Sequence, residues 1–232
     1  MPSIIIQLIL NGIIAGAIYA LVASGFSLTY RVTKFMHFAH GSVIALAAYL
    51  FFLFVQVLEF PFIASFILTM VLTAVIGAVI DWIVYKPLRK RNASSAVLLI
   101  ASIALLILIN SLILMLFGAD VKSIPVYNPV ITLFDARITL LQIVIILTSV
   151  ILFIILWILM KKTKIGMAMR AVADNQEVAE TVGVNPQKVY THTFLIGSLM
   201  GGIAGMLVGM EQNLYPEMGT SIVIKGFTGA VI

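Results

Sequence analysis

Three groups of residues in this chain have the types and spacing for chemistry. His37 and His40 stand three apart, followed at once by Gly41, just ahead of an apolar run. No acid lies close to them and the chain has no cysteine, so the pair lacks the donors that usually complete a metal site. The His side chains can cap or orient the entry of the helix that follows; a structural turn that lines or gates a pathway is the functional reading for this motif. Asn11, Tyr19 and Asn110 are polar groups inside apolar runs, where each needs a hydrogen-bonding partner or a wet cavity. Arg170, Asp174, Glu177 and Glu180 form a polar island that Gly183 closes. Among the acids, Asp81 alone falls within an apolar run, near its end beside Trp82, and reads as interfacial. The sequence has no GxxxxGK(S/T) phosphate loop, no HExxH and no GxSxG. Neither an ATP site nor a catalytic site is expected in this chain, and no cofactor or metal is called for.

The elements that must position these residues are membrane helices. Charged residues make up 10% of the 232, against about 25% in a soluble domain. Mean hydropathy is +1.18. Runs of roughly 20 apolar residues suffice to cross a bilayer, and six qualify: Ile4–Tyr30, Gly41–Leu58, Phe62–Val84, Ala96–Phe117, Leu140–Met160 and Thr193–Met210. A seventh begins near Ser221 and is still apolar at Ile232, so a natural C-terminus further on is expected. The fold class is all-α, a polytopic helix bundle forming one transmembrane domain over 1–232. Gly12 and Gly16, with Ala20 and Ser24, give the first run a small-residue face; Gly197, Gly201, Gly205 and Gly209 do the same for the sixth. Such faces let helices approach closely in lipid.

Lys and Arg in short loops set orientation. Eleven fall on one side: Arg31, Lys34, Lys86, Arg89, Lys90, Arg91, Lys161, Lys162, Lys164, Arg170 and Lys188. Three fall on the other: Lys122, Arg137 and Lys225. The first side is therefore expected in the cytoplasm and the N-terminus outside. The outer breaks collect Glu59, Asp120, Asp135, Glu211 and Glu217. Trp82, Tyr85 and Trp157 fall near inner ends, where interfacial aromatics are expected. Basic residues are spread over these loops, so the +5 net charge marks topology and not a nucleic-acid patch.

Within the polar island, Ala168, Ala171, Val172, Val178, Ala179 and Val182 recur at helical spacing. The pattern predicts one amphipathic helix of about four turns over 166–183. Its polar face carries acids, whereas a helix lying on lipid would favour Lys and Arg there. Gly183 reads as the C-terminal cap, and Asn185-Pro186 as an N-cap and first-turn proline of the next helix. A capped helix of this length exceeds what a connection needs, so it is expected to dock a partner, with its apolar face as anchor and its charged face as guide.

Several motifs carry a family resemblance. Asn11-Gly12 with Tyr19-Ala20-Leu21, then His37-Phe38-Ala39-His40-Gly41, then the run from Gly166 to Asn175 closely resemble the permeases of branched-chain amino acid ABC transporters. His37 takes the position that usually holds Asn in that family. Glu177-Val178-Ala179, with Gly183 after three more residues, resembles the EAA loop of ABC importer permeases. The resemblance implies a translocation pathway shared with a second, related permease. It implies two ATP-binding subunits docked at the cytoplasmic side and an extracytoplasmic binding protein that delivers the amino acid. Arg170, Asp174, Glu177, Glu180 and Gly183 would then belong to a coupling helix, and Asn11, Tyr19, His37, His40 and Gly41 to the pathway or its gate. Related permeases import urea or short amides, which keeps that substrate class open. A channel, a secondary transporter or a membrane scaffold would need no ATPase.

Overall fold

The computed structural model describes residues 2–133 and 136–231. Asp135, expected in an outer break, lies outside the described residues. The helices are α1 (Pro2–Thr33), α2 (Ala39–Phe52), α3 (Phe62–Ile80), α4 (Lys86–Lys90), α5 (Ser95–Phe117), α6 (Leu140–Lys162), α7 (Lys164–Asp174), α8 (Gln176–Thr181), α9 (Pro186–Glu211) and α10 (Met218–Val231). A π-helical turn, Leu53–Val57, extends α2, and a second, Asp81–Tyr85, joins α3 to α4 without a break. Six stretches are long and apolar enough to cross a membrane: Ile4–Thr33, Ala39–Val57, Phe62–Lys90, Ser95–Phe117, Leu140–Lys162 and Pro186–Glu211. They match the six apolar runs to within a few residues at most ends. The connection after α5 folds into a short antiparallel hairpin, β1 (Val130–Leu133) and β2 (Ala136–Thr139). Gln7 pins β2 to α1: its side chain donates to the Arg137 carbonyl at 3.0 Å and accepts from the Arg137 amide at 2.7 Å.

α9 is the centre of the bundle. Its apolar window is 78% buried, against 11% for that of α6, which faces outward with Ile151, Ile155 and Trp157. Glycine makes this possible, because it brings backbones together without side chains between them. A Cβ added at Gly205 would overlap the Ile44 carbonyl of α2. One added at Gly201 would come 2.8 Å from His40, at Gly209 2.9 Å from Ala48, and at Gly197 2.6 Å from Thr29 of α1. On another side, Ser198 and Gly202 press on Gly77 and Thr73 of α3. Thr73 hides its hydroxyl by donating to the Thr69 carbonyl at 2.6 Å, a local bond that removes the cost of a polar group in an apolar contact. Gly12 and Gly16 differ from this pattern: a Cβ at either meets nothing within 4 Å, and both are exposed on this chain.

Two helices start inside the bundle instead of at its rim. α2 begins beside Gly25 and Gly201, which both contact His40 well within α1 and α9. α10 begins where Gly219 packs on Gly41 and Ala45 of α2. It then runs along α1, with Gly226 against Val22 and the Phe227 ring 5.7 Å from that of Phe26. This corrects the placement of Lys225 in an outer break. Its ammonium lies 5.6 Å from the ring of Tyr19, a residue midway along the Ile4–Thr33 span. A hydropathy profile assigns loops to rims and cannot register a helix that starts part-way in.

Candidate functional site

The chemistry collects at the basic end, where α1, α3 and α6 finish and α5 and α9 begin. Thr163 caps α7 by accepting the Gly166 amide at 3.0 Å, so α6 turns directly into α7. The single helix expected over 166–183 is two helices. Asn175 is extended, with φ −148° and ψ 113°, and its side chain accepts the Val178 amide at 3.1 Å. An Asn side chain that caps a new helix competes with continuing the old one, which breaks the run at this residue. Gly183 ends α8 with φ +85°. Its amide bonds the Glu180 carbonyl and the Val184 amide bonds that of Ala179, both at 3.0 Å, the paired bonds of a glycine-terminated helix. Asn185 then caps α9, accepting the Lys188 amide at 3.2 Å, with Pro186 in the first turn.

The apolar face of this element does not point outward as expected. Met169, Val172, Ala173 and Ala179 are buried against Leu28, Val32, Val189 and Tyr190 of the chain's own α1 and α9. Burying that stripe is what fixes α7 and α8 to the bundle. The outward face carries Arg170, Asp174, Glu177, Glu180 and Gly183, all exposed, with Val178 at 58% and Val182 at 72% exposure among them.

Beneath this surface lies a polar network that sequence reading missed. Asp81 is fully buried, not interfacial. Arg89 donates to its Oδ1 at 2.6 Å, and the Thr191 hydroxyl donates to its Oδ2 at 2.7 Å. The Arg89 guanidinium also donates to Gln187 Oε1 at 3.3 Å and lies 4.5 Å from the centre of the Tyr190 ring. The Tyr190 hydroxyl donates to Gln176 Oε1 at 2.8 Å, at the first turn of α8. A continuous set of contacts therefore runs from α3 through α9 to α8. Tyr85, expected at the interface, is also buried, stacked on Phe194 at 5.1 Å and bonded to His37 Nδ1 at 2.8 Å. Trp82 and Trp157 do face outward. Asp81 and Tyr85 are four residues apart and extend the buried every-fourth-residue stripe of Ser65, Thr69, Thr73 and Gly77, so the inner face of the continuous α3–α4 helix carries both inward through the π-helical turn.

The family model for the branched-chain amino acid transport system permease component matches residues 8–232. The chain belongs to that family. LivH of Salmonella typhimurium, named a high-affinity branched-chain amino acid transport system permease protein, is 28% identical over 242 residues, covering 98% of this chain and 78% of its own. BraD of Pseudomonas aeruginosa, with the same description, is 27% identical over 249 residues, covering 100% and 80%. A protein named as probable LivH in Methanocaldococcus jannaschii is 29% identical over 237 residues, covering 97% and 73%. No solved structure matches the chain significantly.

In this permease the remaining candidates fall into two places. His37, His40 and Gly41 are buried together at the start of α2, with the His rings 6.2 Å apart. Nε2 of each His lacks a hydrogen-bond partner, and His40 is clasped between Gly25 and Gly201. Groups of three or more possible metal ligands are absent among the described residues. Asn11 and Tyr19 are elsewhere, on α1, where Asn11 is exposed and Tyr19 half-buried. Asn11 Oδ1 accepts from Gln7 at 3.1 Å, and Tyr19 lies under Lys225. Asn110 donates to Thr220 Oγ1 at 3.3 Å, joining α5 to α10. The permease is a multi-pass membrane protein and a transport component.

Proposed function

We propose that this chain is the membrane-spanning permease subunit of an ATP-driven importer of branched-chain or similar amino acids. It is non-catalytic: ATP is bound and hydrolysed by two partner subunits. A second, related permease completes the pathway, and an extracytoplasmic binding protein supplies the amino acid. The basic end faces the cytoplasm of a prokaryotic cell and the N-terminus lies outside, in keeping with the Lys and Arg bias. The α7–α8 segment, 166–183, is the coupling element. Arg170, Asp174, Glu177, Glu180 and Gly183 meet the ATPase, and Val178 and Val182 supply apolar anchors.

The observation that carries this reading is the build of α7–α8. Its outer face is left free for a partner, while its inner face is bonded through Gln176 and Tyr190 to the buried Asp81–Arg89 pair. A loop that only joined two spans would need neither. Co-purification in mild detergent tests it. The full-length protein should bring down a nucleotide-binding subunit, and Glu177→Lys, which reverses an exposed charge on the outer face, should lose it. A folded protein that never retains an ATPase would count against the importer.

A further inference from the structure

The buried network and the exposed coupling face leave one charge in the bundle without a role. Lys225 sits on α10 beside the middle of α1, its ammonium 5.6 Å from the Tyr19 ring. It is exposed on this chain. Ion pairs among the described residues are Arg89–Asp81 and Lys122–Asp120, and neither includes Lys225. An ammonium at mid-depth is costly in hydrocarbon, so ionisable groups there face a water-filled path or a counter-charge. The face of α10 that presents it is polar for two further turns, through Ser221 and Thr228.

That face also borders a cleft of about 790 Å³ between α5 and α10. Ile107, Leu114 and Ile224 line it with aliphatic surface, and Ser221 lines it one turn before Lys225. Asn110 lines it too, its Oδ1 buried and without a partner. Glu217 lines it as well, whereas Lys225 lies outside the lining, next after Ile224 and over Tyr19 of α1. An aliphatic wall, acceptors for an ammonium in Asn110 and Glu217, and a cation one turn beyond Ser221 match one class of small molecule: a zwitterion with an aliphatic side chain.

We infer that α10 lines the translocation path and that Lys225 receives the carboxylate of the amino acid as it crosses the middle of the bundle. The inference rests on the importer reading and adds to it a substrate contact that the coupling surface does not supply. The aliphatic side chain passes along Ile107, Leu114 and Ile224. The Tyr19 ring holds the ammonium by a cation–π contact when the path is empty.

The test uses the full-length permease assembled with its partner subunits in proteoliposomes, with leucine uptake, ATP hydrolysis and subunit retention measured together. Lys225→Gln should lower leucine uptake by roughly ten- to hundredfold, the factor for a charged hydrogen bond, while assembly and ATP hydrolysis persist. Lys225→Arg, which keeps the cation, should restore most of the uptake. Uptake unchanged in Lys225→Gln overturns the inference. Loss of assembly in Lys225→Gln overturns it as well, because the counter-charge would then belong to a partner subunit. If the wild-type assembly hydrolyses ATP but does not take up leucine, the importer reading fails first and this contact goes with it.

Discussion

Arg89→Ala should destabilise the folded permease by about 3–5 kcal/mol, because it leaves a fully buried carboxylate without its cation. Asp81 would keep only the Thr191 hydroxyl, and Gln187 and the Tyr190 ring would lose the group between them. Asp81→Val with Arg89→Met, which removes both charges and nearly keeps the summed volume, should recover most of that loss, since a buried pair replaced by apolar groups is often neutral or better. Thermal unfolding in detergent separates the two cases. Equal stability of Arg89→Ala and the wild type would mean that the pair is solvated and holds nothing together. The double variant also separates stability from coupling. A protein that is stable again but takes up little substrate per ATP would assign the pair to transmission between α8 and α3.

Gly205→Leu should prevent α9 from docking. The added Cβ alone already overlaps the Ile44 carbonyl, and backbone on both sides leaves no flexible group to yield. Overpacking a core typically costs about 1–3 kcal/mol where side chains can shift, and this site has less freedom than that. The expected outcome is a protein that aggregates or is degraded in the membrane. Gly12→Leu is the control within the same chain. Its Cβ meets nothing within 4 Å, so the single chain should stay folded. Size-exclusion profiles of the two variants in detergent give the comparison. A well-behaved Gly205→Leu protein would contradict the close α2–α9 contact.

The contrast between Gly205 and Gly12 shows what a sequence can and cannot display. Both belong to small-residue stripes of the same period. Only tertiary placement decides that one stripe is clasped and the other exposed on this chain. The spans themselves are legible, because an apolar run of bilayer length has few alternatives. The caps at Gly183 and Asn185 are legible too, since they follow from local backbone chemistry. The Asp81–Arg89–Thr191 network is not. Asp81 does continue a stripe of small and polar residues, Ser65, Thr69, Thr73 and Gly77, but its partner Thr191 lies 110 residues away on α9, and no local pattern names that partner. The break at Asn175 lost to helical spacing for a related reason: an Asn caps or continues a helix according to context. Lys225 was misplaced because charge counting places each Lys in a loop, whereas α10 starts within the bundle.

The claim on which the rest depends is that ATP hydrolysed by partner subunits docked on the α7–α8 face moves an amino acid through this bundle. Reconstituting the full-length permease with its partner permease, two ATP-binding subunits and binding protein, and following labelled leucine, tests it most directly. The account predicts accumulation that requires ATP and is abolished by Glu177→Lys. Leucine movement by the permease chain alone, indifferent to ATP and to Glu177, would contradict it and make the protein a channel or a secondary transporter.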